Sequence, residues 1–375
     1  NIRYDGSLKA SVILKDLAPF VPALSRFEEP LDLNLVFSGH GKHLDCPTLQ
    51  LANHHGLMIA GEAALSNWDA GMDMYIYGKL GNLTMTKEGI NVLMTNLTGK
   101  VPPILQRLDY IRFNGEAAGY LHDLTLTGLF HTGAGMVKTD VMMSIDEQSM
   151  SRTYSGSVAS ADLDLGKLLN QEKKFGKVDF NVELKGFNYK NRYPESYIKG
   201  IISSFEYSQY QYENIMLDGV YKDGGFNGRL SMDDANGSVQ IDGNFNVAKT
   251  IPDFNLKASV KNLRPHDLHL SDKYENASIS LGLTADFTGK SIDDMNGRIS
   301  LDSLQLNAPD ERGCFLDNLT ITAGQVSGEK ELRINSSFMT AVIRGDYSYH
   351  TIPASVVKTV QRYIPSLLTI KENMP

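Results

Sequence analysis

Apolar residues recur at every second position along much of this chain, and this alternation is what most constrains its fold. Val178, Phe180, Val182 and Leu184 are separated by Asp, Asn and Glu. Because successive side chains of a strand point to opposite faces, these four would share one apolar face. Few segments have apolar residues at helical spacing. Strands with one apolar face and one solvent-exposed face are typical of antiparallel sheets. The sequence therefore predicts an all-β protein.

Asn-Gly pairs punctuate the alternating runs at 227–228, 236–237 and 296–297. Both residue types tolerate the positive φ that two-residue hairpin loops require. The sequence therefore predicts tight turns at these positions and a meander of antiparallel strands.

Helical patterns occur only in short segments. The best spans 353–368, begins with Pro353 and carries apolar residues at helical spacing. We expect it to cover an open end or an edge of the sheet, with contact to a membrane as the alternative. Weaker helices are predicted at 86–93 and 103–108.

The chain repeats itself. Leu-Lys-Ala-Ser-Val at 8–12 returns at 256–260, with a looser copy at 157–163, and an alternating strand that ends in Gly follows each copy. Such self-similarity is typical of an array of one supersecondary unit. We expect three β-groove repeat units, at 1–155, 156–253 and 254–375, the last of which ends in the helix at 353–368.

The predicted helices are too few to cover the apolar face of so many strands, so the sheet must fold over on itself. We expect an elongated, repeat-built antiparallel sheet folded into an open groove, a "β-taco" or partly open barrel; a closed sandwich or barrel with a filled core is the alternative. An open apolar groove of this length suits acyl chains. The predicted lining is Leu33, Leu35, Phe37, Leu124, Leu126, Val178, Phe180, Val182, Leu184, Val239, Ile241, Phe245, Val247, Phe254, Leu256, Ile279, Leu281, Leu283, Phe287, Leu319 and Ile321.

Charge and cysteine content narrow the functional classes. The 36 basic and 44 acidic residues give a net charge of −8, the wrong sign for a nucleic-acid partner. Cys46 and Cys314 could form one disulfide.

No apolar run approaches the roughly 20 residues that cross a bilayer. The first and last residues suggest an internal portion of a longer protein, with any membrane contact made by parts outside it.

Chemistry-bearing residues do not form a convincing catalytic or metal site. His40, His43, Asp45, Cys46, His54 and His55 are the one dense group of potential ligands, and in strands and turns they need not converge. Asp233, Asp234 and Asn236 are similar to part of a calcium loop but lack its closing Glu. We expect no metal, no cofactor and no enzymatic activity, and we interpret the single Trp68 as a packing residue.

Several strings resemble the TamB and AsmA-like family of bacterial envelope proteins, in particular its versions from Bacteroidota. They are 161–170 leading into 176–182, 16–22 before 30–33, and 345–348 before 352–354. The resemblance implies a periplasmic groove of β-strands, anchored in the inner membrane by a helix outside this chain. It also implies a conduit for phospholipid between the inner and outer membranes, or a translocation and assembly module for outer-membrane β-barrel proteins.

Three functions follow as expectations. The first is a non-enzymatic periplasmic lipid conduit of a Gram-negative bacterium, whose apolar groove carries phospholipid or other acyl chains. The second is an assembly factor that adds an outer-membrane strand to its sheet edge. The third is a glycan-binding sandwich with Tyr207, Tyr210 and Tyr212 clustered on its outer face.

Overall fold

A computed structural model describes residues 2–18, 25–146, 148–149, 151–188, 195–272, 275–290, 292–308, 313–346 and 348. Strands make up 68% and helices 9%, and the 20 strands form one antiparallel sheet that is not closed into a barrel. The predicted all-β antiparallel class is confirmed. The helix predicted at 353–368 lies outside the described residues.

The chain divides into two compact units, the first of which comprises Asn1–Asp223 and Leu230–Asp234. Its strands are β1 (Arg3–Ile13), β2 (Pro30–His40), β3 (His43–Ala52), β4 (Leu57–Ser66), β5 (Tyr75–Thr86), β6 (Tyr110–Tyr120), β7 (Asp123–Thr132), β8 (Gly135–Ile145), β9 (Arg152–Asp164), β10 (Phe175–Asn188), β11 (Glu195–Tyr207) and β12 (Tyr210–Lys222). From β1 to β12, strands that are neighbours in sequence pair antiparallel, as a meander requires.

The second unit comprises Gly224–Arg229 and Ala235–Pro375, and β13 (Gly225–Asp234) contributes residues to both units. The remaining strands are β14 (Gly237–Asn246), β15 (Asp253–Leu263), β16 (Ser278–Thr288), β17 (Asn296–Asn307), β18 (Cys314–Val326), β19 (Glu329–Ser336) and β20 (Thr340–Arg344). They again pair in sequence order. The three predicted repeat units stay a prediction.

Three α-helices lie in the first unit: α1 (Lys87–Thr98), α2 (Pro103–Gln106) and α3 (Leu165–Leu169). The hydroxyl of Thr86 accepts a hydrogen bond at 3.2 Å from the N–H of Gly89, one of the free backbone donors in the first turn of α1, and Gly99 ends the helix at φ 78°. The first two helices were predicted and the third was not. Short 3₁₀ turns occupy Leu14–Leu17, Gly71–Asp73 and Ile292–Asp294.

Only one of the three predicted Asn-Gly turns is correct. Asn236 precedes β14 in a tight turn, whereas the pair at 227–228 lies inside β13 and the pair at 296–297 opens β17. The turn before β13 uses Asp223 and Gly224 instead, both at positive φ (51° and 77°). Asp-Gly satisfies the same backbone requirement, so composition alone did not identify the turn.

Each unit has its own small core. In the first unit, α1 and the strands beneath it bury Ile90, Leu108, Ile111, Leu163 and Val178. In the second unit, Met295, Ala323 and Leu332 are buried together with partly buried neighbours on β16 to β20. Most apolar strand residues belong to neither core.

Candidate functional site

The strand register of the first unit aligns apolar side chains into rows that cross all its strands from β1 to β12. Residues directly opposite each other in an antiparallel pair lie on the same face of the sheet. One row runs Ala10, Leu33, Leu51, Ile59, Leu83, Phe113, Phe130, Val137, Ser160, Phe180, Ile202 and Ile215. Ser160 is its one polar member. We call the face that carries this row the first apolar face; eleven strand spacings give it a contour of about 50 Å.

The second unit has a corresponding row across seven strands. It runs Gly243, Leu256, Ala285, Ile299, Ile321, Ile334 and Ala341. The face that carries it is called the second apolar face, and six strand spacings give it a contour of about 30 Å. Every residue in this row has an apolar side chain except Gly243, which has none.

The predicted lining residues lie on these two faces, with one exception. Twenty of them occupy strand positions of the same parity as the two rows. Val247 follows the last residue of β14 and is 61% exposed. Contact of these residues with lipid stays a prediction.

The sequence-based lining contains no residue of β3, β4 or β5, and bulges interrupt the alternation of β3 and β5. In β3 the apolar positions are Leu44 and Cys46 before a bulge and Leu49 and Leu51 after it. A bulge adds one residue to a strand, so the positions that face one side change from even to odd. The pairing partners recover these residues, whereas a fixed period of two does not.

Both apolar faces are half-exposed rather than buried. Of the 21 predicted lining residues, Val178 alone is buried, at 4% exposure; Phe245 and Val247 are exposed and the rest are intermediate. A face packed against a second layer would be buried as thoroughly as a domain core. Within the described residues, therefore, no second layer covers most of either face.

Glycines on the first apolar face lie beneath large side chains. A Cβ on Gly128 would lie 2.4 Å from Cε2 of Phe113, and one on Gly39 would lie 2.5 Å from Cε2 of Tyr4. Real Cβ atoms do not approach this closely, so each ring lies over its glycine. The rings therefore lie along the sheet and leave the face open.

The helices close the first apolar face at one end of its strands. Ile90 of α1 is 1% exposed and packs among Leu108 and Ile111, and α3 joins the same cluster through Leu165 and Leu168. Hydrogen bonds fix this helical cap, defined as α1, α2 and α3. Nζ of Lys167 donates to Oδ2 of Asp109 at 2.6 Å, and a guanidinium N–H of Arg107 donates to the carbonyl of Leu168.

Charged groups in the two units form ion pairs with defined consequences for their pKa values. His55 lies 2.7 Å from Glu88 and 3.4 Å from Glu29, whose hydrogen bonds raise the pKa of the imidazole. Glu331 lies between Arg344 and Arg333, at 2.7 and 3.0 Å, and these hydrogen bonds lower the pKa of its carboxyl. The ion pairs of His55 join α1 to a turn of the sheet, and those of Glu331 join β19 to β20.

The histidine-rich segment does not converge on one point. His43 bonds to Ser66 at 2.7 Å and to Asp45 at 2.9 Å, while His55 bonds to the glutamates described above. Across the described ranges, no group of three or more His, Cys, Asp or Glu side chains is placed to hold a metal ion. Cys46 is buried and Cys314 exposed, both as free thiols, and burial raises the pKa of Cys46.

The three tyrosines considered for glycan binding lie on the first apolar face rather than on the opposite one. Tyr212 is directly opposite Phe205, and Tyr207 is opposite Tyr210. Tyr212 is buried at 8% exposure, and its ring lies 4.8 Å from that of Tyr210 and 6.4 Å from that of Phe205. They pack against each other and do not form an exposed platform.

Two surface depressions of the first unit lie on the polar side of its sheet. One, of about 710 Å³, is lined by β1 to β4 and includes Lys9, Asp32 and Gln50. The other, of about 590 Å³, is lined by β8 to β12 and includes Lys185 and Glu195. Both are shallow, and neither gathers the reactive groups that a catalytic site needs.

No helix in the described ranges is both long and apolar enough to cross a membrane. Comparison of the chain with protein-family models, with curated proteins and with solved structures gives no match.

Proposed function

We propose that this protein is a non-enzymatic lipid conduit of the Gram-negative periplasm, whose apolar faces carry acyl chains of phospholipid between the inner and outer membranes. The observation that carries the proposal is the row across β1 to β12, which is apolar except for Ser160 and partly exposed except at the buried Phe113. The resemblance to TamB and AsmA-like proteins supports the location and the ligand class.

The mechanism is partitioning. An acyl chain leaves water for the apolar face while its headgroup stays at the polar margin. Burial of about ten methylenes would contribute about 8 kcal/mol before the cost of ordering the chain, at about 0.8 kcal/mol each. This is enough to hold a lipid without a covalent step or a cofactor.

Mass spectrometry of organic extracts tests the proposal. The protein is purified from bacteria without detergent beside a mock purification, and phospholipid should be enriched well above the mock. Val182→Asp places a charge on the first apolar face and should reduce the bound lipid several-fold. Ile201→Asp is the matched control, because Ile201 lies on the opposite face and is 50% exposed.

Where Val182→Asp unfolds, Val182→Thr replaces it, because threonine keeps the shape of valine and adds one hydroxyl. Circular dichroism confirms that each variant keeps its strand content. A lipid-free wild-type protein, or equal lipid loss in the Val182 and Ile201 variants, would refute the conduit.

A second candidate, strand addition, is favoured by the edge strand β1. Its 11 residues pair with β2 without a bulge, it contains no proline, and its other side has no partner among the described residues. Successive N–H groups of a strand point to opposite sides, so one of Ser7→Pro and Leu8→Pro removes an outward donor. The proline variant that removes the outward N–H should lose binding to an unfolded outer-membrane β-barrel protein, whereas Val182→Asp should keep this binding.

A further inference from the structure

A band of aromatic side chains lies at one end of the strands in the first unit. In an antiparallel meander, all connections that follow even-numbered strands lie at the same end. They include the turns at 41–42, 67–74 and 121–122, whereas α1, α2 and α3 follow odd-numbered strands. At the end opposite the helical cap, the described residues include no α-helix.

We call this band the aromatic rim and define it as Tyr4, Trp68, Tyr75, Tyr120 and His122. The ring centroids of Tyr4 and Trp68 are 6.3 Å apart, and those of Tyr75 and Tyr120 are 5.4 Å apart. His122 stacks on Tyr120 at 5.5 Å with an interplanar angle of 12°. Residues far apart in sequence thus form two ring clusters at this end of the strands, with Tyr4 on the first apolar face and Tyr75 and Tyr120 on the opposite face.

Backbone hydrogen bonds join the turns that carry the rim. The N–H of Asn67 donates to the carbonyl of Lys42 at 2.9 Å, and that of Leu121 donates to Met74 at 3.1 Å. The imidazole Nδ1 of His122 donates to the carbonyl of Met72 at 2.9 Å. The rim is consequently an ordered surface rather than a set of independent loops.

The rim exposes large amphipathic rings to solvent. Trp68 is 43% exposed and Tyr120 is 44% exposed. Tryptophan and tyrosine combine an apolar ring with a polar group and are enriched where hydrocarbon meets water in bilayers. A rim of this composition matches the headgroup region of a membrane.

The charges of the rim turns specify which membrane surface fits. Residues 41–42, 67–74 and 121–122 contain Lys42, Asp69 and Asp73, so their formal charge is −1 with histidine neutral. Nζ of Lys42 is already paired with Asp69 at 2.6 Å. These turns offer no excess cation to an anionic headgroup, which favours zwitterionic phospholipid.

We propose that the aromatic rim docks this end of the first unit on the surface of a zwitterionic phospholipid bilayer. The uncapped end of the first apolar face then meets the membrane, and the helical cap lies away from it. Docking itself needs only the rim; the passage of acyl chains onto the face rests on the proposed function.

The single tryptophan of the chain makes the test direct, because Trp68 lies in the rim. Vesicles of phosphatidylethanolamine and phosphatidylcholine should shift its emission to shorter wavelength, and the shift should persist in high salt. Tyr75→Ala and Tyr120→Ala should each weaken partitioning, measured by this emission, about tenfold. Ile104→Ala is the matched control, since Ile104 is apolar, 48% exposed and at the capped end.

An emission spectrum unchanged by vesicles would overturn the proposal. Equal weakening by Ile104→Ala and Tyr120→Ala, or binding only to anionic vesicles that salt abolishes, would overturn it as well. Val182→Asp separates it from the proposed function. That variant should still dock while its bound lipid falls. In the wild-type protein, docking without bound lipid would refute the conduit alone, whereas bound lipid without docking would refute the rim alone.

Discussion

Truncation of Ile90 to alanine tests whether the helical cap is held by its contact with the sheet. Ile90 is 1% exposed at the centre of the first core, and α1 has only 12 residues, a length at which an isolated helix is marginal. Ile90→Ala removes three carbon atoms, worth about 2.4 kcal/mol at about 0.8 kcal/mol each. The residual cavity raises the expected loss of unfolding free energy to about 3 kcal/mol.

Urea unfolding followed by the fluorescence of Trp68 measures this loss, because that tryptophan belongs to the first unit and reports on it alone. Ile104→Ala deletes the same atoms from a side chain that is 48% exposed, and should cost less than about 0.5 kcal/mol. Equal losses for the two variants would mean that α1 is not held by the core, and the reasoning would fail.

Three further predictions concern packing and pH. Gly128→Ala should lower the unfolding free energy by about 1–3 kcal/mol in urea titrations, because its Cβ would overlap the ring of Phe113, whereas Gly78→Ala, with no atom within 4 Å of its Cβ, should change it little. The pKa of His55 is raised in the folded state, so the stabilisation from its ion pairs is fully present below its ordinary pKa of 6.5 and is lost as pH rises through the folded pKa. His55→Gln should remove this pH dependence from melting curves. Glu331 has a lowered pKa, so its stabilisation is present above 4.5 and is lost as pH falls through the folded pKa; Glu331→Gln should flatten the acid limb of urea titrations monitored by circular dichroism.

Alternation predicted the apolar faces well wherever a strand is regular. β10 and β16 present every predicted residue on one face, because β16 keeps a period of two over its full length and β10 keeps it from Val178 onward. The alternation fails at β3 and β5, where bulges lie between Cys46 and Leu49 and between Leu80 and Leu83. Pairing with neighbouring strands determines the face there, and a local pattern does not contain that information.

The length of each helix determined whether its pattern could be recognised in the sequence. The 12 residues of α1, with Thr86 as cap, carry enough periodic signal to be recognised. The five residues of α3 span little more than one turn and include a glycine. Its position is set by tertiary contacts, in which Leu168 packs into the first core and Asp164 accepts the N–H of Lys167 at 2.8 Å.

The aromatic rim could not be predicted from the sequence. The sequence predicts a packing role for Trp68, yet this residue is 43% exposed beside Tyr4, 64 positions earlier in the chain. Tyr75 and Tyr120 meet because β5 pairs with β6 in a register that places them opposite each other. Long-range pairing, which no local propensity encodes, creates the surface.

The regularity of the rows bears on how a bound chain would move under the proposed function. An acyl chain that advances by one strand exchanges one set of aliphatic contacts for an equivalent set, because each strand places a similar side chain in the row. The free energies of successive positions are then nearly equal, and each step disrupts contacts only at the two ends of the chain. Ser160 is the polar interruption of the row, so Ser160→Asp should slow transfer between vesicles more than it reduces the lipid retained on purification. Equal reduction of both quantities would indicate lipid held at one fixed site and would contradict movement along the face.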